Sequence, residues 1–466
     1  MTILERLERG ALGCAFSLLY TFIRRNPEKN LTRLAGIAEK LAGGVFNKKY
    51  FDAFRRGAAD TSNVWHKWAM GLLRDVDKRS LKRMVLAIGL GAGVHGTRAV
   101  RENREKYGCN IPFTILFDPT SACNLSCKGC WSAEYGHKHS LTLDEMRSII
   151  AQGKVLGTHN YMITGGEPLL RKADILTLCR ENPDCSFLAY TNATLVDEKF
   201  CEDLHRAGNF ALALSIEGTP ESNDARRGEG AYAKTAEAMR LLRENRCLFG
   251  ISVCYTRENF ESVTGDAFLQ DMIERGAKFA LYFHYMPVGK SAVPALLPTP
   301  QQRERMYHWL RETRNSKTGN PIFVLDFQND GEYVGGCIGG GRNYFHINSA
   351  GDIEPCVFIH YSDSNIRRDT LLEALRKPLF TAYYHNQPFN DNHLRPCPML
   401  ENPECLRAIV GETGAESTDL VAPESADELC ARCDRYAADW TDTAEELWTD
   451  NPHPAPKTQY WRDREN

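Results

Sequence analysis

The feature that most constrains this 466-residue chain is a group of three cysteines, Cys123, Cys127 and Cys130, spaced C-x3-C-x2-C. They follow a strand-like apolar run from Phe113 to Phe117. A cubane iron–sulfur cluster has about four irons, each of which takes a ligand, so three local cysteines leave one iron open. Zinc or three buried thiols are the alternatives, but zinc sites usually show paired C-x2-C arms. The spacing therefore predicts an iron–sulfur cluster with one open iron.

Further motifs follow the cysteines at the ends of later strand-like runs. They are Gly165-Gly166-Glu167-Pro168, Asn192 in a Thr-Asn-Ala segment, Ser215 before Ile-Glu-Gly, and Arg227 in the segment from Asn223 to Gly230. Together with the cysteine triplet they resemble the radical SAM superfamily, whose members cleave S-adenosylmethionine (SAM) reductively at an open 4Fe-4S cluster. The resemblance implies a SAM-binding role for each of these residues.

The resemblance assigns individual contacts. The backbone and Glu167 of the Gly-Gly-Glu-Pro motif hold the methionine amino group, and Ser215 contacts the ribose or the carboxylate of SAM. Arg227 pairs with the SAM carboxylate, with Arg226 as the alternative, since a planar guanidinium suits a carboxylate. Ile251 or Val253 lies against adenine, or else both belong to the barrel core. Three positions depart from the family pattern: Gly129 replaces an aromatic residue, Ala193 a glycine, and Glu217 an aspartate.

The hydrophobic pattern predicts an α/β fold with an N-terminal helical region, a partial (β/α)6 barrel and a cysteine-rich C-terminal domain. The predicted strands are Phe113 to Phe117, Tyr161 to Thr164, Phe187 to Thr191, Ala211 to Ser215, Phe249 to Cys254 and Phe279 to His284. The predicted divisions are 1–108 for the helical region, 109–315 for the barrel, 316–440 for the cysteine-rich domain and 441–466 for a polar tail. The candidate ligands all fall at the carboxyl ends of strands, where barrel active sites lie.

A second set of cysteines lies in the C-terminal part. Cys337 and Cys356 flank Gly351 in a spacing that resembles the start of the SPASM/twitch extensions, which carry auxiliary iron–sulfur clusters. Cys397, Cys430 and Cys433 complete the predicted ligand set, with Cys405 as a further cysteine. We expect one auxiliary 4Fe-4S cluster. A structural zinc is the alternative, because four thiolates bind either metal.

The composition bears on the partners and the cellular environment of the chain. The net charge of −3 and the pI near 6.5 provide no basic field for nucleic acid. Sixteen cysteines without a leading secretory signal predict a reducing, cytoplasmic environment. Two apolar runs flanked by basic residues, Ala11 to Ile23 and Met84 to Gly93, predict either peripheral membrane contact or packing helices.

The resemblance implies a function. A low-potential donor of the flavodoxin or ferredoxin type reduces the cluster, SAM is cleaved to a 5′-deoxyadenosyl radical, and the radical abstracts hydrogen from a substrate C–H bond. Relatives with SPASM extensions commonly modify peptides or proteins, whereas the apolar runs favour a lipid chain. A non-catalytic iron–sulfur electron carrier is the alternative outside enzymes, although it would not need the SAM-binding motifs.

Overall fold

The computed structural model describes residues 20, 27–42 and 47–450. The N-terminal region is helical, as predicted. Its helices are Pro27–Ala42, Lys48–Ala59, Val64–Asp75, Lys78–Val85, the π-helix Leu86–Gly96, and Thr97–Tyr107. Asn47, Asn63 and Asp77 each accept backbone N–H groups at a helix start, which explains why three of these helices begin where they do.

A nine-stranded sheet forms the centre of the molecule. Its strands are β1 Thr114–Phe117, β2 Asn160–Ile163, β3 Ser186–Thr191, β4 Phe210–Ser215, β5 Phe249–Tyr255, β6 Phe279–His284, β7 Phe323–Asp326, β8 Tyr344–Ile347 and β9 Ile353–Glu354. The spatial order is β7-β6-β5-β4-β3-β2-β1-β8-β9. All neighbours are parallel except β9, which is antiparallel to β8. The predicted α/β class is confirmed.

Helices cover the outer face of this sheet. They are Leu143–Leu156, Lys172–Glu181, Glu198–Ala207, Pro220–Arg227, Ala231–Glu244, Phe260–Thr264, Asp266–Glu274 and Pro300–Thr313. Alternate strand residues such as Phe117, Ile163 and Leu214 pack with them in the main hydrophobic core. The opposite face carries polar groups at the amino ends of the strands, where Asn160 Nδ2 donates to Thr114 Oγ1 over 2.7 Å. This alternation decides which side chains reach the inside of the barrel.

The six predicted strands are confirmed within one residue at each end. The sequence pattern missed β7, β8 and β9, which lie beyond the expected boundary at 315 and still pair in the same sheet. They are two to four residues long, too short for a clear period. As a result, the β8–β9 hairpin of the C-terminal part lies directly beside β1, the strand that precedes the cysteine triplet.

The C-terminal part surrounds a second hydrophobic core. Its elements are the helices Gly331–Val334, Leu371–Ala374, Pro378–Asn386, Pro403–Thr413 and Ala426–Thr449, and the strand pair β10 Tyr361–Ser362 and β11 Glu416–Ser417. Ser425 and Glu428 form a capping box at the start of the last helix, which continues past the expected boundary at 440. An ion pair between Arg303 and Glu401, 2.6 Å long and fully buried, joins this core to a barrel helix.

The apolar run from Met84 to Gly93 is a packing element. Leu86, Ala87, Leu90 and Ala92 are buried, whereas Ile88 is half exposed. A Cβ on Gly91 would lie 2.4 Å from the carbonyl oxygen of Asp184, so the backbone of the π-helix packs directly on a barrel loop. The other run, Ala11 to Ile23, lies outside the described residues apart from Tyr20. Among the described helices, none combines the length and apolarity needed to cross a bilayer.

Candidate active site

The three cysteines lie in a loop that follows β1, and their thiols interact electrostatically with one another. The loop is fixed by backbone bonds: Lys128 N–H donates to the Arg226 carbonyl over 2.9 Å, and Cys130 N–H donates to the Cys127 carbonyl over 3.3 Å. Burial raises the pKa of the Cys123 thiol to about 11 and also raises that of Cys130. Metal binding must therefore displace protons from these thiols.

The spacing of the thiols argues against a single ion. The Sγ atoms of Cys123, Cys127 and Cys130 do not all lie within 4.8 Å of one another. Three thiolates on one zinc ion at about 2.3 Å would sit about 3.8 Å apart. A cluster that offers each thiolate a different iron tolerates the wider separation. The residues present thus fit a 4Fe-4S cluster better than zinc.

The Gly-Gly-Glu-Pro loop runs beside the residues that lead into Cys123. Gly166 N–H donates to the Thr120 carbonyl over 3.0 Å, and Glu167 N–H donates to the Ala122 carbonyl over 2.8 Å. A Cβ on Gly166 would lie 2.1 Å from the Ala122 carbonyl oxygen. The glycine is thus required by the close approach of two backbone segments.

The Glu167 carboxylate is buried and already accepts three hydrogen bonds. The donors are Leu169 N–H at 2.9 Å, the Thr191 hydroxyl at 2.6 Å and Asn192 N–H at 2.8 Å. This carboxylate joins the end of β3 to the start of the turn at Pro168. Its predicted contact with the SAM amino group stays a prediction, and only one of its roughly four acceptor sites remains for it.

Asn192 and Ala193 form a strained turn next to Cys123. The Asn192 side chain donates to Asn124 Oδ1 over 2.8 Å and lies 4.0 Å from Cys123 Sγ. Ala193 has φ of +66°, the left-handed conformation that glycine adopts most easily. The alanine therefore keeps the backbone that a glycine at this position would favour.

A compact ion cluster occupies the end of β4. Glu217 is fully buried, and its Oε1 accepts from Arg226 Nη1 at 2.5 Å and from Arg227 Nε and Nη2 at 3.0 and 2.5 Å. Its Oε2 accepts Cys254 N–H at 3.1 Å. Both arginines interact electrostatically with Cys130. Two guanidinium groups share the Glu217 carboxylate, so these three side chains carry a surplus positive charge near Cys130, which the electrostatic interaction of Glu167 with Arg227 partly offsets.

The side chains of Ile251 and Val253 face away from the barrel interior, which corrects the expectation that one of them contacts adenine. Val253 pairs with Tyr282, whose hydroxyl donates to the Val263 carbonyl in the helical layer. Paired residues of parallel strands share a face, so Ile251 and Val253 belong to the outer core. Ser252 and Cys254 are on the inner face of β5, and Ser215 pairs with Ser252.

Five cysteines of the C-terminal part are brought together. Cys337, Cys356 and Cys397 interact electrostatically with one another, and Cys430 with Cys433. The β8–β9 hairpin turns at Gly351, with φ of +89°, and returns Cys356 towards Cys337 as predicted. Cys405 is partly exposed, and among the described residues its thiol interacts electrostatically with Glu404 and with none of the other cysteines.

Tyr383 links the two groups of cysteines. Its fully buried hydroxyl interacts electrostatically with Cys337, Cys356, Cys397 and Cys430, and has no hydrogen-bond partner among the described residues. A buried hydroxyl without an acceptor is costly. No three of the five Sγ atoms lie within 4.8 Å of one another. The donor set and the unpaired hydroxyl fit a sulfur-rich cluster better than a single zinc ion.

Sequence reasoning missed a buried polar group between β1 and the β8–β9 hairpin. It consists of Asp118, His346 and Glu354, all fully buried, with Tyr135 donating to Glu354 over 2.7 Å. Trp131, which follows Cys130, has its ring centroid 6.0 Å from that of His346 and 6.1 Å from that of Phe358. Asp118 at the end of a strand was a signal in the sequence, but its partners are more than two hundred residues away.

A parallel sheet with a cysteine triplet, a glycine-rich loop and an arginine cluster at its carboxyl end defines an enzyme site for an iron–sulfur cluster and a zwitterionic cofactor. Residues 117–267 match the family model of the radical SAM superfamily. Residues 117–267 therefore form a radical SAM domain, and the chain is an enzyme whose cofactors are a 4Fe-4S cluster and SAM. When bound, these two cofactors supply the one-electron cleavage that generates a 5′-deoxyadenosyl radical.

Named relatives cover more than half of the chain. It is 27% identical over 291 residues to the AdoMet-dependent heme synthase of Methanosarcina barkeri, covering 57% of this chain and 82% of that protein. It is 25% identical over 284 residues to the PqqA peptide cyclase of Gluconobacter oxydans, covering 58% and 79%. The crystal structure of Streptococcus suis SuiB bound to precursor peptide SuiA has a TM-score of 0.55, with 18% identity over 72% of this chain and 79% of that one. This structural likeness supports the fold.

The arginine cluster leads to a binding prediction. Replacing Arg227 with alanine is expected to weaken SAM binding by about 1.5–3 kcal/mol, the range for a lost charge-assisted hydrogen bond. Equilibrium binding to anaerobically reconstituted protein measures the loss. Arg240→Ala, on an exposed helix surface where Arg240 pairs with Glu237 and Glu244, is the matched control. Unchanged affinity in Arg227→Ala with a loss in Arg226→Ala would transfer the role to Arg226.

Proposed function

We propose that this enzyme uses SAM-derived radical chemistry to modify a peptide or protein oxidatively. In this proposal Cys123, Cys127 and Cys130 hold the cluster with the open iron, and Ser215 and Arg227 bind SAM with the Gly165–Pro168 loop and Asn192. The observation that carries the proposal is the pairing of β8 with β1, which makes the cysteine-rich C-terminal part continuous with the sheet that carries the cluster loop.

The second part of the proposal is one auxiliary 4Fe-4S cluster. Cys337, Cys356 and Cys397 supply three ligands, and Cys430 or Cys433 supplies the fourth. The contact between Trp131 and Phe358 supports a short path between the two cluster loops, because Trp131 follows Cys130 and Phe358 lies two residues after Cys356. An auxiliary cluster in this place can accept the electron that the substrate radical loses, together with a proton, when it is oxidised to the product. A low-potential donor of the flavodoxin or ferredoxin type supplies the electron that starts the reaction.

A peptide substrate is supported by the relatives. One relative is named a PqqA peptide cyclase, and SuiB is described as bound to a precursor peptide; they match 58% and 72% of this chain. A heme precursor is the second candidate, because three AdoMet-dependent heme synthases are also relatives. A lipid substrate and peripheral membrane contact stay predictions that rest on residues 9 to 25, since the second apolar run is largely buried in the fold.

The substrate class can be tested by turnover. Anaerobically reconstituted enzyme is incubated with SAM, a low-potential reductant, and either short peptides encoded beside its gene or an iron porphyrin. We expect a peptide to raise 5′-deoxyadenosine above the level without substrate and to lose two hydrogen atoms, as seen by mass spectrometry. Stimulation by the porphyrin with no mass change in any peptide would contradict the peptide proposal and favour the second candidate.

A further inference from the structure

A buried group of charged side chains lies at the end of β1, three strands along the sheet from the end of β4 that holds the arginine cluster. His346 Nδ1 is 2.6 Å from Glu354 Oε2, and His346 Nε2 is 3.0 Å from Asp118 Oδ1. His346 lies on β8, Glu354 lies on β9, and Asp118 directly follows β1. The group therefore connects the extension to the strand that leads into the cysteine loop.

Glu354 fixes the orientation of His346. Besides the histidine, its carboxylate accepts from Tyr135 at 2.7 Å, Asn348 at 2.9 Å and Thr418 at 2.5 Å. With four donors this carboxylate is saturated. Because Nδ1 is held by Glu354, the other ring nitrogen, Nε2, is directed to Asp118.

Asp118 keeps acceptor capacity beyond its contact with His346. Its side chain is fully buried, its Oδ1 forms an ion pair with His346 Nε2 at 3.0 Å, and among the described residues neither oxygen has an aligned hydrogen bond. Burial raises the pKa of Asp118 and the imidazolium beside it opposes that rise, so a second donor would stabilise the charged form of this carboxyl group. The Gly-Gly-Glu-Pro loop passes close by, because a Cβ on Gly165, its first glycine, would lie 3.3 Å from Asp118 Cγ.

The charges on the two sides of the site are opposite. Although burial opposes its charge, the carboxylates of Asp118 and Glu354 raise the pKa of His346 to about 10, so the imidazole is a cation at neutral pH. With Asp118 ionised, the two carboxylates and the imidazolium carry a surplus negative charge, whereas Glu217, Arg226 and Arg227 carry a surplus positive charge that Glu167 partly offsets. The neighbouring pair of His360 and Asp419, 2.6 Å apart, balances itself. The methionyl end of SAM carries an ammonium, which suits the negatively charged group, and a carboxylate, which suits the arginine cluster.

We infer that Asp118 accepts a hydrogen bond from the amino group of SAM, and that His346, oriented by Glu354, is its positioning residue. The inference rests on the proposed function, because it deepens the SAM site assigned there. It gives the amino group a buried carboxylate with free acceptor sites, whereas Glu167 has three internal donors. The Arg227 side of the site then holds the SAM carboxylate.

Equilibrium binding of two ligands tests the inference. Anaerobically reconstituted wild-type protein, Asp118→Asn and Asp118→Glu are titrated with SAM and with 5′-methylthioadenosine, which has no methionyl end. We expect Asp118→Asn to lose about tenfold or more in SAM affinity with unchanged affinity for 5′-methylthioadenosine. Asp118→Glu should restore part of the loss. The SAM-induced change in the electron paramagnetic resonance signal of the reduced cluster should shift to the same higher SAM concentration.

Asp326→Asn is the matched control. Asp326 is also fully buried at the end of a strand, β7, but its Oδ1 accepts Gln328 and Asn329 N–H, and its Oδ2 accepts from the Asn329 side chain. Asp326→Asn should bind SAM and 5′-methylthioadenosine with the same affinities as the wild-type protein. If the Asp118→Asn variant does not assemble its iron–sulfur cluster, the His346→Gln variant is measured instead. It should lose less SAM affinity than expected for Asp118→Asn and keep its affinity for 5′-methylthioadenosine.

Two outcomes overturn the inference: wild-type SAM affinity in Asp118→Asn, or an equal loss for both ligands, which would indicate a structural role. Failure of the wild-type protein to bind SAM would instead overturn the proposed function.

Discussion

Changing Cys123, Cys127 and Cys130 together to alanine is expected to abolish formation of 5′-deoxyadenosine and to leave about half of the iron. Two cubanes give about eight irons per chain, and the triple variant retains only those of the auxiliary cluster. The thiols lie in a partly exposed loop whose bonds are mainly between backbone atoms, so the fold should tolerate their removal. Iron analysis and chromatography of the nucleoside products measure the two effects.

Cys405→Ala is the control for this variant. It removes a partly exposed thiol whose electrostatic partner in the described part of the chain is Glu404, and it should keep all the iron and all SAM cleavage. SAM cleavage at the wild-type rate by the triple variant would contradict the assignment of the cysteine loop.

Replacing Cys337 and Cys356 with alanine is expected to remove the auxiliary iron while SAM cleavage without substrate persists. These thiols belong to the C-terminal cysteine group, and the cysteine loop after β1 keeps its own three ligands. Burial raises the pKa values of the cysteines that remain in this group, Cys397, Cys430 and Cys433, so loss of the metal leaves them as neutral buried thiols. Iron content should fall by about half.

The identity of the bound metal distinguishes an auxiliary iron–sulfur cluster from a structural zinc site. Elemental analysis of protein purified without oxygen should find iron and no stoichiometric zinc. Zinc that disappears in the Cys337 and Cys356 variant would contradict the auxiliary cluster.

The barrel could be predicted from sequence because its strands carry their own signals. Each is an apolar run of four to seven residues followed by a polar motif, so both the strand and its ligand end are local features. The cysteine loop, Gly165 to Pro168 and Ser215 were placed in this way. The hairpin at Gly351 was also predicted, because a glycine stands between two cysteines, and the structure gives this glycine φ of +89°.

The parts that could not be predicted depend on partners distant in sequence. The face of the sheet that carries the Ile251 side chain is known only from the pairing of β5 with β6, because an alternating apolar pattern fits either face. The sharing of Glu217 by two arginines and the contact between Asp118 and His346 likewise require the folded sheet. The apolar run ending at Gly93 resembled a membrane-binding segment because its partner, the Asp184 loop, lies ninety residues further along.

The most direct test of the account is a measurement on the wild-type protein. Anaerobically reconstituted enzyme is mixed with SAM and a strong low-potential reductant, and 5′-deoxyadenosine and methionine are quantified over time. The account predicts that both products form in equal amounts, only with reductant present, together with a SAM-dependent change in the electron paramagnetic resonance signal of the reduced cluster. A fully iron-loaded protein that forms neither product and whose signal ignores SAM would contradict it.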